Sequence, residues 1–425
     1  MNAAITGCSI FFRARSYRLD SLRNRWHQWV LGQGQHLEVG GRLVLLGDHT
    51  HVVKDGGRMP GVVSLRETSE TQSKPSYFRG QCWGALGLLV GSWSACFCLP
   101  LALQLHQGFQ HVRETATELR LGERVARMAV DFVGMNGRAC WLVLDAFFAS
   151  ASVFRQTQAV WLVSGRQPGV RVITRAKKNY VAYCPPPARQ PGQRGRNRQY
   201  GDKLVLWEAF DHPYLFRTVE VTLYGQQESV QLMSAHLLWR PLGQYLQFVW
   251  AITSRGPILL MCDDLTVEAE VVLGLYARRV RIETLFDTLK NTLGVFRFHF
   301  WSRHLPRHSR QPTSNRTLKP PHPQHLQAVR DCWRAMESFV LCASIAAGLL
   351  QLFSLKYADS LWQRQILYLR TRSRHLPSEN TVRQILAPLL AREFLHSPPR
   401  SLWWKIRDAI NGDEEDEHPA LASVV

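Results

Sequence analysis

Acidic residues are scarce in this chain. Across 425 residues, Asp and Glu number 33 against 52 Lys and Arg, a net charge of +19. With 45% of residues hydrophobic, that excess of base belongs to a folded protein and not to a disordered basic tail. A folded surface of this sign suits a polyanion, nucleic acid first and a membrane surface second. No CxxC pair occurs among the nine cysteines, which argues against a zinc finger, and their odd number argues against a closed disulfide frame. Scattered mostly in apolar runs, they read as reduced core thiols of a cytoplasmic protein. A cleavable signal is also missing, because MNAAITGCSIFFRARSYR carries only a short apolar run before its arginines.

Long unbroken apolar runs are few. Residues 80–112 contain no Lys, Arg, Asp or Glu, but glycines, serines and Pro100 interrupt them, so two buried strands joined by a turn are expected. Residues 338–355 (SFVLCASIAAGLLQLFSL) are bounded by basic residues and barely reach the ~18 needed for a span. A buried helix is expected there, and no membrane partner.

In chain order, residues 1–40 form a short basic segment, helical from about Tyr17 to Leu31. GRLVLLGDHT follows, with a strand over 42–46 that delivers Asp48 to its end; an amphipathic helix is predicted over 112–134. WLVLDAFFAS repeats the pattern, a strand over 141–144 ending on Asp145, with a helix over 149–162. Strand, helix, strand with acid, helix is an α/β arrangement, and 41–180 is its first part. Residues 181–256 read as a β-rich insertion opened by a Pro/Gly/Arg loop (YCPPPARQPGQRGRNRQYGDK), with strands expected at LVLWEAF, RTVEVTLYG, VQLMSAHLLW and YLQFVWAIT. The second part of the core, 257–300, carries ILLMCDD and a further helix. A basic, Pro-rich linker over 301–325 is followed by a helical region, 326–425, whose helices are predicted at 326–356, 359–370 and 379–396 before an acidic tail. Histidines 299, 304, 308, 322 and 325 crowd the linker region, but no acid or cysteine stands at ligand spacing from them.

The stretch that organises the chain is LGLYARRVRIETLFDTLKNTLG. As one continuous helix, Tyr276, Arg279, Glu283 and Lys290 would fall within ~60° of one another, a polar stripe beside an apolar one. That stripe alone is equally a surface salt-bridge ladder. Taken with Asp48 and Asp145, 97 residues apart and followed 138 residues later by Glu283, it becomes three carboxylates able to hold two Mg²⁺ or Mn²⁺ ions. Such a pair activates water or a 3′-hydroxyl and stabilises the leaving oxygen of a phosphodiester. Arg279 and Lys290 would engage phosphates and Tyr276 would orient one.

The order Asp, Asp, Glu with Tyr276-x2-Arg279-x3-Glu283-x6-Lys290 resembles the DDE transposases of bacterial insertion sequences that bear the Y-R-E-K signature, insertion-sequence family four and its relatives. The resemblance covers about residues 43–300. It implies a ribonuclease H-like catalytic core interrupted by a β-rich insertion, with Asp48, Asp145 and Glu283 as metal ligands. Members cut DNA at terminal inverted repeats and join the freed 3′ ends to a target, usually as dimers, which implies a bacterial cytoplasmic, nucleoid-associated protein. Relatives stack a tryptophan of the insertion on an unpaired base, for which Trp207 and Trp239 are candidates by location. Three rival readings stay open: a transposon remnant that binds DNA without excising, a ribonuclease H-like nuclease of another kind, and a membrane-surface protein, which would need the 80–112 segment to be a helix.

Overall fold

The computed structural model describes residues 18–66, 77–109, 112, 119–162, 167–188, 195–307, 321–364, 376–396 and 398. The acidic tail, the middle of the basic loop and much of the Pro-rich linker lie outside these residues. The chain forms two compact units, one of Arg15–Ala347 and one of Gly348–Val425 with Met1–Ala14.

The larger unit is mixed α/β. Its strands in chain order are β1 (Arg42–Val53), β2 (Val63–Arg66), β3 (Tyr77–Gly91), β4 (Cys96–Leu105), β5 (Cys140–Leu144), β6 (Val170–Arg175), β7 (Val181–Tyr183), β8 (Lys203–Val205), β9 (Arg217–Leu223), β10 (Gln226–Trp239), β11 (Gln244–Thr253) and β12 (Gly256–Cys262). Together with the two-residue strand Glu38–Val39 they make one thirteen-stranded sheet among the described residues. At its heart β4, β3, β1, β5 and β6 lie side by side in that order, with β3 antiparallel to β1 and β5 and β6 parallel to it. The charge-free 80–112 stretch does become two strands, β3 and β4. The first of them is buried from Phe78 to Val90, as a strand covered on both faces must be.

The inserted strands do not make a sheet of their own. β12 pairs antiparallel with β6, β11 with β12 and β10 with β11, so the hairpins continue the central sheet outward from the edge that β6 would otherwise expose. The strand expected at LVLWEAF ends after Val205 and gives way to a 3₁₀ turn over Leu206–Asp211. The Leu206 carbonyl accepts the buried Trp250 indole N–H at 2.6 Å, which takes it out of the ladder.

Helix α1 (Leu19–Gly32) matches the N-terminal expectation and ties to β4 through Trp26 Nε1 donating to the Pro100 carbonyl at 2.9 Å. Helix α2 (Leu121–Asn136) starts later than the predicted 112. It buries Val125, Ala129, Phe132 and Val133 at helical spacing and ends on Gly137 in the left-handed region (φ 64°), whose N–H bonds the Val133 carbonyl at 2.8 Å. Helix α3 (Ala151–Thr157) is shorter than the predicted 149–162. It provides the crossover between the parallel strands β5 and β6. Helices α4 (Ala269–Ala277) and α5 (Val280–Asp287) follow β12.

Helix α6 (Leu326–Lys356) begins in the larger unit and ends in the smaller one, where α7 (Ala358–Gln363) and α8 (Glu379–Leu395) follow. Ser378 caps α8 by accepting the Thr381 N–H at 3.3 Å, as its sequence implies. Within the smaller unit Gln351 donates to Glu379 at 2.9 Å and Ser354 to the Pro377 carbonyl at 2.6 Å. Residues 323–356 are long and apolar enough to cross a membrane, and half of their most apolar window is buried in the protein.

Candidate active site

The two aspartates are set by strand register. β1 and β5 run parallel with Leu43 beside Cys140 and Leu46 beside Val143, so two residues further on Asp48 and Asp145 stand on neighbouring strands at one level. Adjacent strands lie about 4.8 Å apart. Asp145 does end its strand. Its carbonyl accepts the Thr174 hydroxyl at 2.8 Å and the Phe148 N–H at 3.0 Å, and the chain turns into a 3₁₀ turn over Ala146–Phe148. Asp48 does not end its strand, contrary to the expectation of a strand over 42–46. β3 pairs with β1 as far as Val53, and that ladder carries β1 straight through Asp48. Gly47, the residue before it, admits α2: a Cβ there would come within 2.6 Å of Val125 and 2.8 Å of Leu144.

The stretch from Tyr276 to Lys290 is not one helix. α4 stops at Ala277, and Arg278 and Arg279 close a tighter turn, their N–H groups bonding the Leu275 and Tyr276 carbonyls at 3.1 and 2.9 Å. The Gly274 carbonyl that Arg278 N–H would otherwise reach is taken by the Arg278 guanidinium itself, at 2.6 Å. That guanidinium lies 3.3 Å from the centre of the Trp93 ring and also donates to the Trp93 carbonyl. α5 then runs to Asp287 and passes into a π-type turn over Thr288–Thr292, with Leu293 N–H on the Thr288 carbonyl. The straight polar stripe is thereby broken in two places.

The break nonetheless gathers Tyr276, Arg279 and Glu283 with Asp48 and Asp145. Arg279 donates to Asp48 at 3.0 Å and to Glu283, four residues on. Tyr276 donates its hydroxyl to Asp145 at 3.3 Å. Lys290 lies in the π-type turn, half-buried. Arg279, expected at a phosphate, is therefore the cation around which the acids stand. Among the described residues, no group of three or more His, Cys, Asp and Glu side chains stands close enough to hold a metal ion.

The electrostatics follow from burial. Asp48 is pushed up from 3.8 to about 6, first by loss of water, with Asp145 and Glu283 adding to the rise. The Arg279 charge and the His49 N–H, which donates to Asp48 at 2.7 Å, pull the other way. Burial lowers the Arg279 value, but Asp48, Asp145, Tyr276 and Glu283 more than offset it, and the net shift is upward. Burial and the Asp145 charge raise the Tyr276 phenol, so it stays protonated and donates. Tyr276, Arg279 and Glu283 also line a cleft of about 240 Å³ with Arg175 and Arg255, the latter stacked 3.4 Å over Tyr224.

The two tryptophans part company. Trp239 is 3% exposed against Phe154 and Tyr180, a core residue. Trp207 is half-buried against Phe210, under the Lys178 ammonium. Missed altogether in the sequence was a ring cluster beside the aspartates. His49 stacks on Phe148 at 5.3 Å and shares a 2.9 Å hydrogen bond with His106. Burial lowers both imidazoles, His49 to about 3, so neither carries charge at neutral pH. The only signal for the cluster was adjacency, a His following Asp48 and two Phe close behind Asp145.

No protein-family model matches the sequence, and neither does any curated protein. Among solved structures it is similar to the NurA nuclease from Sulfolobus solfataricus, at 6% identity over 63% of this chain and 89% of that one. The TM-score of that likeness is 0.24, too low to carry an argument about fold or activity.

Proposed function

We propose that the chain is a divalent-metal-dependent enzyme of DNA strand cleavage and joining, a DDE transposase on a ribonuclease H-like core. One observation carries the reading. Asp48 and Glu283, far apart in sequence, meet on the one guanidinium of Arg279, while Asp145, level with Asp48 on the next strand, takes the hydroxyl of Tyr276 from the same signature. A salt-bridge ladder on a helix surface would not reach two strands of the central sheet. Asp48 and Asp145 on neighbouring parallel strands, with Glu283 on a helix after the inserted hairpins, support that reading.

The donor set fits a hard divalent cation in chemistry: three carboxylates, one raised to about 6 by burial and by its acidic neighbours. Asp48, Asp145 and Glu283 are the residues that would hold Mg²⁺ or Mn²⁺, but only drawn closer together than they stand here with Arg279 among them; such an ion, when bound, polarises a phosphodiester oxygen and lowers the pKa of water. The chain's own residues do the rest. Arg279 neutralises Asp48 and Glu283, and it is positioned to exchange them for a phosphate. Tyr276 holds Asp145 in one orientation through its hydroxyl. The cleft beside Glu283, with Arg175 and Arg255, supplies further positive charge for a nucleic-acid backbone.

The test uses the DNA that flanks the gene, carried on a supercoiled plasmid, with the purified protein and Mg²⁺ or Mn²⁺. Cleavage is expected with metal and not in chelator. Asp48→Ala, Asp145→Ala and Glu283→Ala should each abolish it while salt-sensitive DNA binding stays nearly unchanged. Full activity in any one of the three removes the proposal. Cutting without joining of 3′ ends to a target would assign a ribonuclease H-like nuclease of another kind.

A further inference from the structure

Phe147 is out of place by ordinary packing rules. It is 57% exposed, two residues after Asp145, while its neighbour Phe148 is fully buried. Burying a phenylalanine side chain stabilises a fold, and an exposed one has given that up. Nor is it a loose side chain. Its ring stands perpendicular to Phe148 at 5.2 Å and to His49 at 5.9 Å, and those two stack on each other. The turn beneath is pinned, with Phe148 N–H on the Asp145 carbonyl at 3.0 Å and the Tyr180 hydroxyl donating to the Ala149 carbonyl. His49 is fixed in turn by its bond to His106. The seat is therefore rigid and aromatic, with the ring still open to solvent.

An open ring held at low entropy cost suits one kind of partner here. The chain as a whole carries +19, which disfavours an apolar protein surface and favours a nucleic acid. Phe147 follows Asp145 by two residues, so their Cα atoms are at most ~7 Å apart, about the reach of a base from its own phosphate. Bases of any sequence stack on an exposed aromatic face. We propose that Phe147 stacks on the nucleobase next to the phosphate to be cut and so keeps the strand in register for cleavage. This rests on the strand-cleavage reading above, and the experiment separates the two.

Short duplexes from the DNA flanking the gene, each with one 2-aminopurine at successive positions, would be bound by the full chain in chelator, where no cleavage occurs. Stacking on Phe147 should change the fluorescence at one or two adjacent positions. Phe147→Ala should lose that change and Phe147→Trp should keep it, both folding as the parent does by circular dichroism. In Mg²⁺, Phe147→Ala should cut about 5- to 150-fold more slowly with an unchanged salt dependence of binding. A position-specific signal that persists in Phe147→Ala, or no such signal in the parent, overturns the assignment even if cleavage is normal. A Phe147-dependent signal in a protein that never cleaves would sustain the stacking role and sink the cleavage reading instead.

Discussion

Replacing Asp48 by Asn should make the protein more stable, and more so as pH rises. The carboxyl is buried and its value stands at about 6 against 3.8 in water. Because the native value lies above the unfolded one, the native state binds the proton more tightly. The resulting stabilisation is complete below about 3.8 and is lost as pH climbs through about 6. At 1.36 kcal/mol for each step of one in pKa, the loss is about 3 kcal/mol at neutral pH. The side chain keeps 21% of its surface in water, which trims the figure to about 2–3 kcal/mol. Asparagine imitates the protonated form and carries no such loss. Urea unfolding of Asp48→Asn and the parent should give equal stabilities near pH 4 and a gain of about 2–3 kcal/mol for the variant at pH 7.5, or roughly 3–4 °C in Tm for a unit of this size. A variant no more stable at pH 7.5, or a difference that does not grow with pH, would show that Asp48 is not the strained charge described here.

The other expectations are narrower. Arg279→Gln removes the attraction that opposes burial, so the Asp48 carboxyl should titrate above about 6, followed by carboxyl ¹³C shifts or by the pH midpoint of stability. Glu337, raised by burial to about 7, follows the same sign: Glu337→Gln should leave stability unchanged near pH 4 and raise it at pH 8 by thermal unfolding. Gly84→Ala drives a Cβ into the His106 ring, which its bond to His49 holds in place, and should cost about 1–3 kcal/mol in urea. Trp239→Ala should cost about 3–5 kcal/mol as a core truncation, with the half-buried Trp207→Ala costing clearly less in the same assay.

Much of the strand framework was legible because buried strands announce themselves as apolar runs. β5 and β9 to β12 fall where WLVLD, VQLMSAHLLW and their neighbours place them, and the 80–112 stretch resolves into β3 and β4. The N-terminal helix and the start of α8 were readable from period and from the Ser378 cap. Boundaries set by contacts between distant segments were not. Nothing near Asp48 says that β1 should run on to Val53, since the reason is its ladder with β3. The end of α4 depends on Arg278 turning back on the Gly274 carbonyl and lying over Trp93, a residue 185 positions away.

The sequence by itself determined which residue types were available for the site: two aspartates after apolar runs, and a tyrosine, arginine, glutamate and lysine at fixed spacing. Tertiary structure alone decided what they do to one another. Parallel register placed Asp48 level with Asp145, the broken helix swung Arg279 between Asp48 and Glu283, and burial turned an ordinary carboxyl into one that holds its proton to about 6. Spacing along a chain fixes angles around a helix axis. The field at a carboxylate depends on what folds against it and on how much water is left.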